Sequence, residues 1–189
     1  PQVLMEGHVR KYQQRVERMA LLGVNNNKGL LTTTDYTVET AANISTMNAD
    51  VMRTTLVNFI NAQLGEALKI KEYEADNIIM PPRVYRILNT TPLNNAAGQI
   101  QITVLESLQK AFPNLTFLQS DYCENVVGTD SIIALFSAYE SAGKVRIPVK
   151  LQVSPVIETK GWTYSFDSFF SIAGFEVLQK KTGRLLRGM

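Results

Sequence analysis

His8 is the only histidine in this chain and Cys123 the only cysteine. A Ser-His-Asp or Cys-His catalytic set would have to recruit one of them. His8 follows Gly7 at the start of a basic stretch and reads as an ordinary helix residue. Cys123 lies within Asp121-Tyr122-Cys123-Glu124, where two carboxylates oppose thiolate formation. It reads as a small packing residue. One histidine and one cysteine do not make a structural zinc site. Asp121, Glu124 and Asp130 offer oxygens to a hard cation, but without the alternating ligands and central glycine of a calcium loop. The stretch Ala138 to Lys144 (AYESAGK) imitates a phosphate-binding loop. That motif needs Ser or Thr after the lysine and a helix beyond it. Val145 follows instead, and the next residues alternate like a strand. The residues therefore assemble no catalytic, metal or cofactor set, and the chain is not read as an enzyme.

The elements around these residues follow from hydrophobic spacing. Met5, Val9, Tyr12, Val16 and Met19 recur every three or four residues, which predicts a helix over 3–22, stopped by Gly23. Residues 23–45 read as a long polar connection suited to lying on a neighbour. A second helix is expected over 47–68, with Val51, Leu56, Phe59, Ile60 and Leu64 on its apolar face. Ser45, Thr46 or Asn48 would cap it. Asn77 to Met80 reads as a buried strand, Pro81-Pro82 opens a short helix to Leu88, and 89–98 reads as a loop. Ile102, Leu105, Leu108 and Phe112 predict another helix, closed by Pro113. Beyond it the period changes to two. Leu115 to Leu118, Ile132 to Phe136, and Val145 to Val153 read as strands, with Pro148 at an edge or a bulge. Trp162, Tyr164 and Phe166 alternate again. Helices early and strands mostly later argue for an α+β fold.

Charge is sorted along the chain. The total is +2, yet residues 1–28 carry net +3 and residues 179–189 net +4, which leaves −5 in between. Basic ends on an acidic body suit pairing between subunits or contact with nucleic acid. No recognition motif for nucleic acid is present. A single cysteine excludes an internal disulfide, which fits a reducing cytoplasm. No apolar run is long enough to span a bilayer as a helix, and no signal-peptide pattern opens the chain.

Four stretches, in order, carry a resemblance: Leu21 to Thr32 (LLGVNNNKGLLT), Ala75 to Leu88 (ADNIIMPPRVYRIL), Val104 to Ser120 (VLESLQKAFPNLTFLQS) and Phe169 to Leu186 (FFSIAGFEVLQKKTGRLL). Together they resemble the major capsid proteins of tailed phages and prophages with the Hong Kong 97-type fold, in a branch filed as encapsulin-like. The resemblance implies an icosahedral shell of pentamers and hexamers, with packaged DNA and scaffold or other virion proteins as partners. It places the protein in the virion, assembled in the bacterial host cytoplasm. It also implies three parts. Residues 1–45 would be a peripheral helix and connection, 46–140 an axial domain at the capsomer centre, and 141–189 strands returning to the periphery. The N-terminal arm and extended hairpin loop of such subunits have no counterpart in the sequence, so a longer natural chain is expected.

A shell subunit needs complementary surfaces, and the residues suggest several. Arg10, Arg15 and Arg18 would face carboxylates of a neighbour such as Glu72, Glu74 or Asp76. Asn26 lies in the polar connection, and Asn94, Asp121 and Glu124 in loops expected to face the capsomer axis. Two alternatives stand beside the phage capsid: the shell of an encapsulin-like nanocompartment, and a small-molecule-binding protein or enzyme.

Overall fold

The computed structural model describes residues 2–24, 27–67, 74–94, 100–128, 130–155, 157–159, 163–165 and 167–188. The chain opens with helix α1 (Gln2–Leu22). Strands β1 (Gly23–Val24) and β2 (Asn27–Lys28) then form a tight ribbon that caps the helix. The amides of Leu30 and Leu31 donate to the carbonyls of Ala20 and Leu21 (both 2.8 Å), and the Thr32 hydroxyl reaches Leu22 O at 3.0 Å. These bonds satisfy carbonyls that a helix end otherwise leaves open. Gly23 makes the reversal with φ +79°, where a Cβ would collide with the Asn27 carbonyl oxygen.

Strand β3 (Thr37–Thr40) and a 3₁₀ turn at Ile44–Thr46 lead into α2 (Ala49–Ala67). Asn48 supplies the expected cap, accepting from Val51 N at 2.9 Å. Then come β4 (Asn77–Met80), α3 (Pro82–Thr90), β5 (Pro92–Asn94), β6 (Ile100–Thr103) and α4 (Val104–Ala111). Thr103 and Glu106 close a reciprocal capping box on α4 (3.2 and 3.0 Å). Next are β7 (Thr116–Gln119), a 3₁₀ turn at Asp121–Cys123, and β8 (Ile132–Phe136). The chain continues through β9 (Gly143–Arg146), β10 (Val149–Val153), β11 (Ile157–Thr159), β12 (Thr163–Ser165), β13 (Ser168–Ser171) and β14 (Gly174–Val177). A 3₁₀ turn at Lys180–Thr182 delivers β15 (Gly183–Arg187).

Five strands form the central sheet in the order β3-β15-β8-β4-β7. The outer pairs are parallel and the inner pairs antiparallel. Alternate side chains leave opposite faces of a strand, so a sheet covered on both sides needs apolar residues at nearly every position. Ile78, Met80, Ile133, Leu135 and Leu186 meet α2, α3 and α4 on one face. Ile79, Ile132, Ala134 and Leu185 meet Leu21, Leu30, Leu31, Tyr36 and Cys123 on the other. Strands from all three sequence segments, 1–45, 46–140 and 141–189, meet in this sheet.

Strands β9 to β14 fold into one long two-stranded ribbon, pairing β9 with β14, β10 with β13 and β11 with β12. Pro148 sits between β9 and β10, where no ladder hydrogen bond is demanded of it. The ribbon lies along α1. Tyr12 meets the ring of Phe170 edge-on, with centroids 4.8 Å apart.

Several expectations change. The segment 23–45 lies on its own core, since Leu30, Leu31, Tyr36 and Ile44 are buried and 37–40 pair with β15. Its threonines hid four apolar anchors and a strand. Val51 is 45% exposed, and Met52 takes the core position. Ile102 belongs to β6, because the Thr103 cap starts the helix one residue later. The loop expected over 89–98 holds β5 as far as Asn94, paired with β6. Trp162 and Phe166 lie outside the described residues.

Candidate functional site

Cys123 is buried, and burial pushes its thiol up to about 12, helped by the charges of Glu17 and Glu124. Desolvation dominates because a thiolate loses water it cannot replace there. His8 is exposed, with Nδ1 3.5 Å from the Ser168 hydroxyl. Among the described residues no group of three or more His, Cys, Asp or Glu is placed to hold a metal ion. Among the described residues no helix is long and apolar enough to cross a membrane. Residues 139–142 form a turn into β9, so no helix follows the imitation phosphate loop.

The surfaces are more informative. Arg10, Arg15 and Arg18 all stand exposed on α1. Among the described residues no carboxylate lies within ion-pair distance of them. The helix separates the three. By its turn of 3.6 residues, Arg10 lies on the flank of Gln14 and Glu17, whereas Arg15 turns toward the ribbon. Gln14 and Glu17 border an open groove of about 590 Å³, with Gln119, Ser120, Asp121 and Tyr122 opposite. The Ser120 hydroxyl donates to Glu17 at 3.1 Å and the Tyr122 hydroxyl to Gln14 O at 3.4 Å, tying α1 to the edge of the sheet.

Asp121 and Glu124 are exposed on the 3₁₀ turn beside this groove. Glu74 is exposed at the entry to β4. Asp76 is occupied within its own chain: its carboxylate accepts from Asn77 Nδ2 (2.6 Å) and from the Ala138 amide (2.8 Å). It is not a ready partner for a neighbour's arginine. Asn94 is the last residue of β5, and Asn26 and Glu72 lie outside the described residues.

The basic C-terminal segment is divided, with Lys180 and Lys181 exposed and Arg184 internal. Arg184 is buried in β15 and donates to Glu39 on β3, and Lys180 pairs with Asp35 at 3.3 Å. Glu39 and Arg184 are 145 residues apart. Only knowledge of the β3–β15 pairing would have joined them. A second feature also escaped the sequence. His8, Lys11, Tyr12 and Arg15 share a cleft of about 190 Å³ with Leu151, Ser168 and Phe170 of the ribbon. The three basic positions are legible as one helix stripe, but the ribbon that roofs them is not.

A family model described as major capsid protein matches residues 4–188. A chain from the capsid of Myoviridae phage XM1 superposes with a TM-score of 0.86 at 28% identity, covering 100% of this chain and 65% of that one. A chain from the capsid of an empty GTA particle superposes at 0.68 with 12% identity, covering 99% and 65%. For a virus-like particle from Pyrococcus furiosus the values are 0.58 and 13%, covering 90% and 62%. This chain thus spans less than two thirds of each of those three. No curated protein matches the sequence. The expected α+β architecture is the Hong Kong 97-type fold, and the chain belongs to the major capsid protein family.

Proposed function

We propose that this chain is the shell-forming part of a phage or prophage major capsid subunit, with a structural and not a catalytic role. The observation that carries the reading is the superposition of the whole chain on the XM1 capsid chain. The central sheet with α2, α3 and α4 would be the axial part at the capsomer centre. Helix α1 and the ribbon 143–177 would be the peripheral part. This division differs from contiguous segments in giving β3 and β15 to the axial part, because both are hydrogen-bonded into its sheet.

Shells close by repeating a few contacts many times, so modest pair energies suffice. The exposed Arg10 side chain and the exposed carboxylates of Asp121 and Glu124 carry opposite charge, and we assign them as one such contact between copies. Packaged DNA, scaffold partners, pentamers and hexamers, and a place in the virion belong to this same reading. Negative-stain electron microscopy of the complete natural reading frame, expressed in bacteria, tests it. Uniform hollow shells or ring-shaped capsomers are the expected result. A folded monomer at high concentration, with no shell under any salt condition, would sink it. The contents of the shells separate a DNA container from a compartment for cargo protein.

A further inference from the structure

The basic residues of α1 share one face, except Arg10, which lies on the flank of Glu6 and Glu17. His8, Lys11, Arg15 and Arg18 fall within one arc of about 80° around the helix, and all four are exposed. Glu6 and Glu17 lie roughly across the helix from them, and Glu17 is held toward the sheet by Ser120. The row is therefore continuous and free of interleaved carboxylates. It spans about 15 Å of helix axis.

Three of the four line the cleft beneath β13, whose other walls are Tyr12, Leu151, Ser168 and Phe170. No described lining residue is acidic. At about 190 Å³ the cleft is smaller than the roughly 300 Å³ at which small-molecule sites begin. It takes a group of phosphate size and not a cofactor. Beyond the cleft the row continues to Arg18, so the surface matches a ligand with repeated charges. A duplex carries one charge per about 1.7 Å of axis and meets several of these cations at once. A lone carboxylate on a neighbouring subunit would meet one.

We propose that the His8–Lys11–Arg15–Arg18 face of α1, with its cleft under β13, binds the phosphate backbone of nucleic acid. Such contacts hold the polymer without reading its sequence. The proposal rests on the shell reading above, since a shell is what brings nucleic acid to this surface.

Fluorescence anisotropy of a labelled duplex of about 30 base pairs, titrated with the full chain between about 50 and 200 mM salt, tests it. Engagement of Lys11, Arg15 and Arg18 with one phosphate each predicts an affinity loss of about 40-fold across that range. The double variant Lys11→Gln/Arg15→Gln lowers the salt slope by about 2, and Arg15→Gln alone by about 1. Arg83→Gln/Arg86→Gln, on the exposed side of α3, leaves both affinity and slope unchanged. Thermal melts confirm that each variant is folded. Absence of wild-type binding at low salt, an unchanged slope in the cleft variants, or an equal loss in the α3 variant would each overturn the proposal. Shell formation is scored separately in buffer free of nucleic acid. Wild-type chain that binds DNA yet never assembles would refute the shell reading alone. Lys11→Gln/Arg15→Gln chain that binds DNA normally yet fails to assemble would make the row a protein contact, and this proposal would fall.

Discussion

Cys123 packs beneath the sheet among Ile79, Ile132 and Leu185. With its thiol pushed up to about 12, it is protonated at any pH where the protein would be handled. An aromatic disulfide reagent at about pH 8 should leave the native protein unmodified and label one thiol per chain after denaturation. Fast labelling of native protein would mean that this side of the sheet opens readily. Two glycines make a contrasting pair. Gly183 starts β15 directly beneath the Tyr36 ring, which a Cβ would strike. Gly183→Ala should therefore cost about 1–3 kcal/mol through overpacking. Gly65, near the end of α2, has open space around it. Gly65→Ala should gain about 0.5–1 kcal/mol from helix propensity. Denaturant midpoints read both, and a Gly183→Ala chain as stable as the parent would show that the Tyr36 packing is misplaced.

Between elements, the contact that fixes the ribbon to α1 is the edge-on pair of Tyr12 and Phe170. A double-mutant cycle with Tyr12→Leu and Phe170→Leu should return a coupling of about 0.5–1.5 kcal/mol. Additive effects would mean that the ribbon and helix do not share this contact. Helix α1 was legible because Tyr12, Val16 and Met19 form its half-buried line. Strands β4 and β8 were legible because sheet strands buried on both faces read as unbroken apolar runs. What could not be read was pairing. Gly183 to Arg187 looked like a basic tail, yet it is an interior strand whose parallel neighbour β3 lies more than a hundred residues upstream. Composition also misled at 23–45, where threonine content masked Leu30, Leu31 and Tyr36. Strand β5 was missed because three residues with a proline carry almost no period. Of the candidate interface residues, Arg10, Arg15, Arg18, Glu74, Asp121 and Glu124 are exposed as a contact role requires. The flanks of the three arginines on α1 follow from sequence spacing, but which flank faces the ribbon is a property of the folded chain.

At the scale of the molecule, the ribbon 143–177 raises the question of what supports it. A two-stranded ribbon is marginal in water unless one face packs on something. Its inner face has α1, through Phe170. On the outer side Phe169 is 60% exposed, and further along Ile157 is 62% exposed. Single exposed apolar residues are common on monomers, but two on the same ribbon point to a surface covered by another copy. The substitutions Phe169→Asp and Ile157→Asp separate that role from folding. Neither side chain contributes to the two buried clusters. Their loss should therefore move the melting free energy of the monomer by no more than about 0.5 kcal/mol. If the ribbon is a subunit contact, each buried aspartate would lack a partner and the contact would weaken sharply. The expected outcome is a normal melt together with a clear fall in shell yield by sedimentation, larger for the double variant than for either single one. A normal melt with undiminished yield would place the ribbon outside the subunit contacts and leave the Arg10 flank and the Asp121–Glu124 turn to hold the shell.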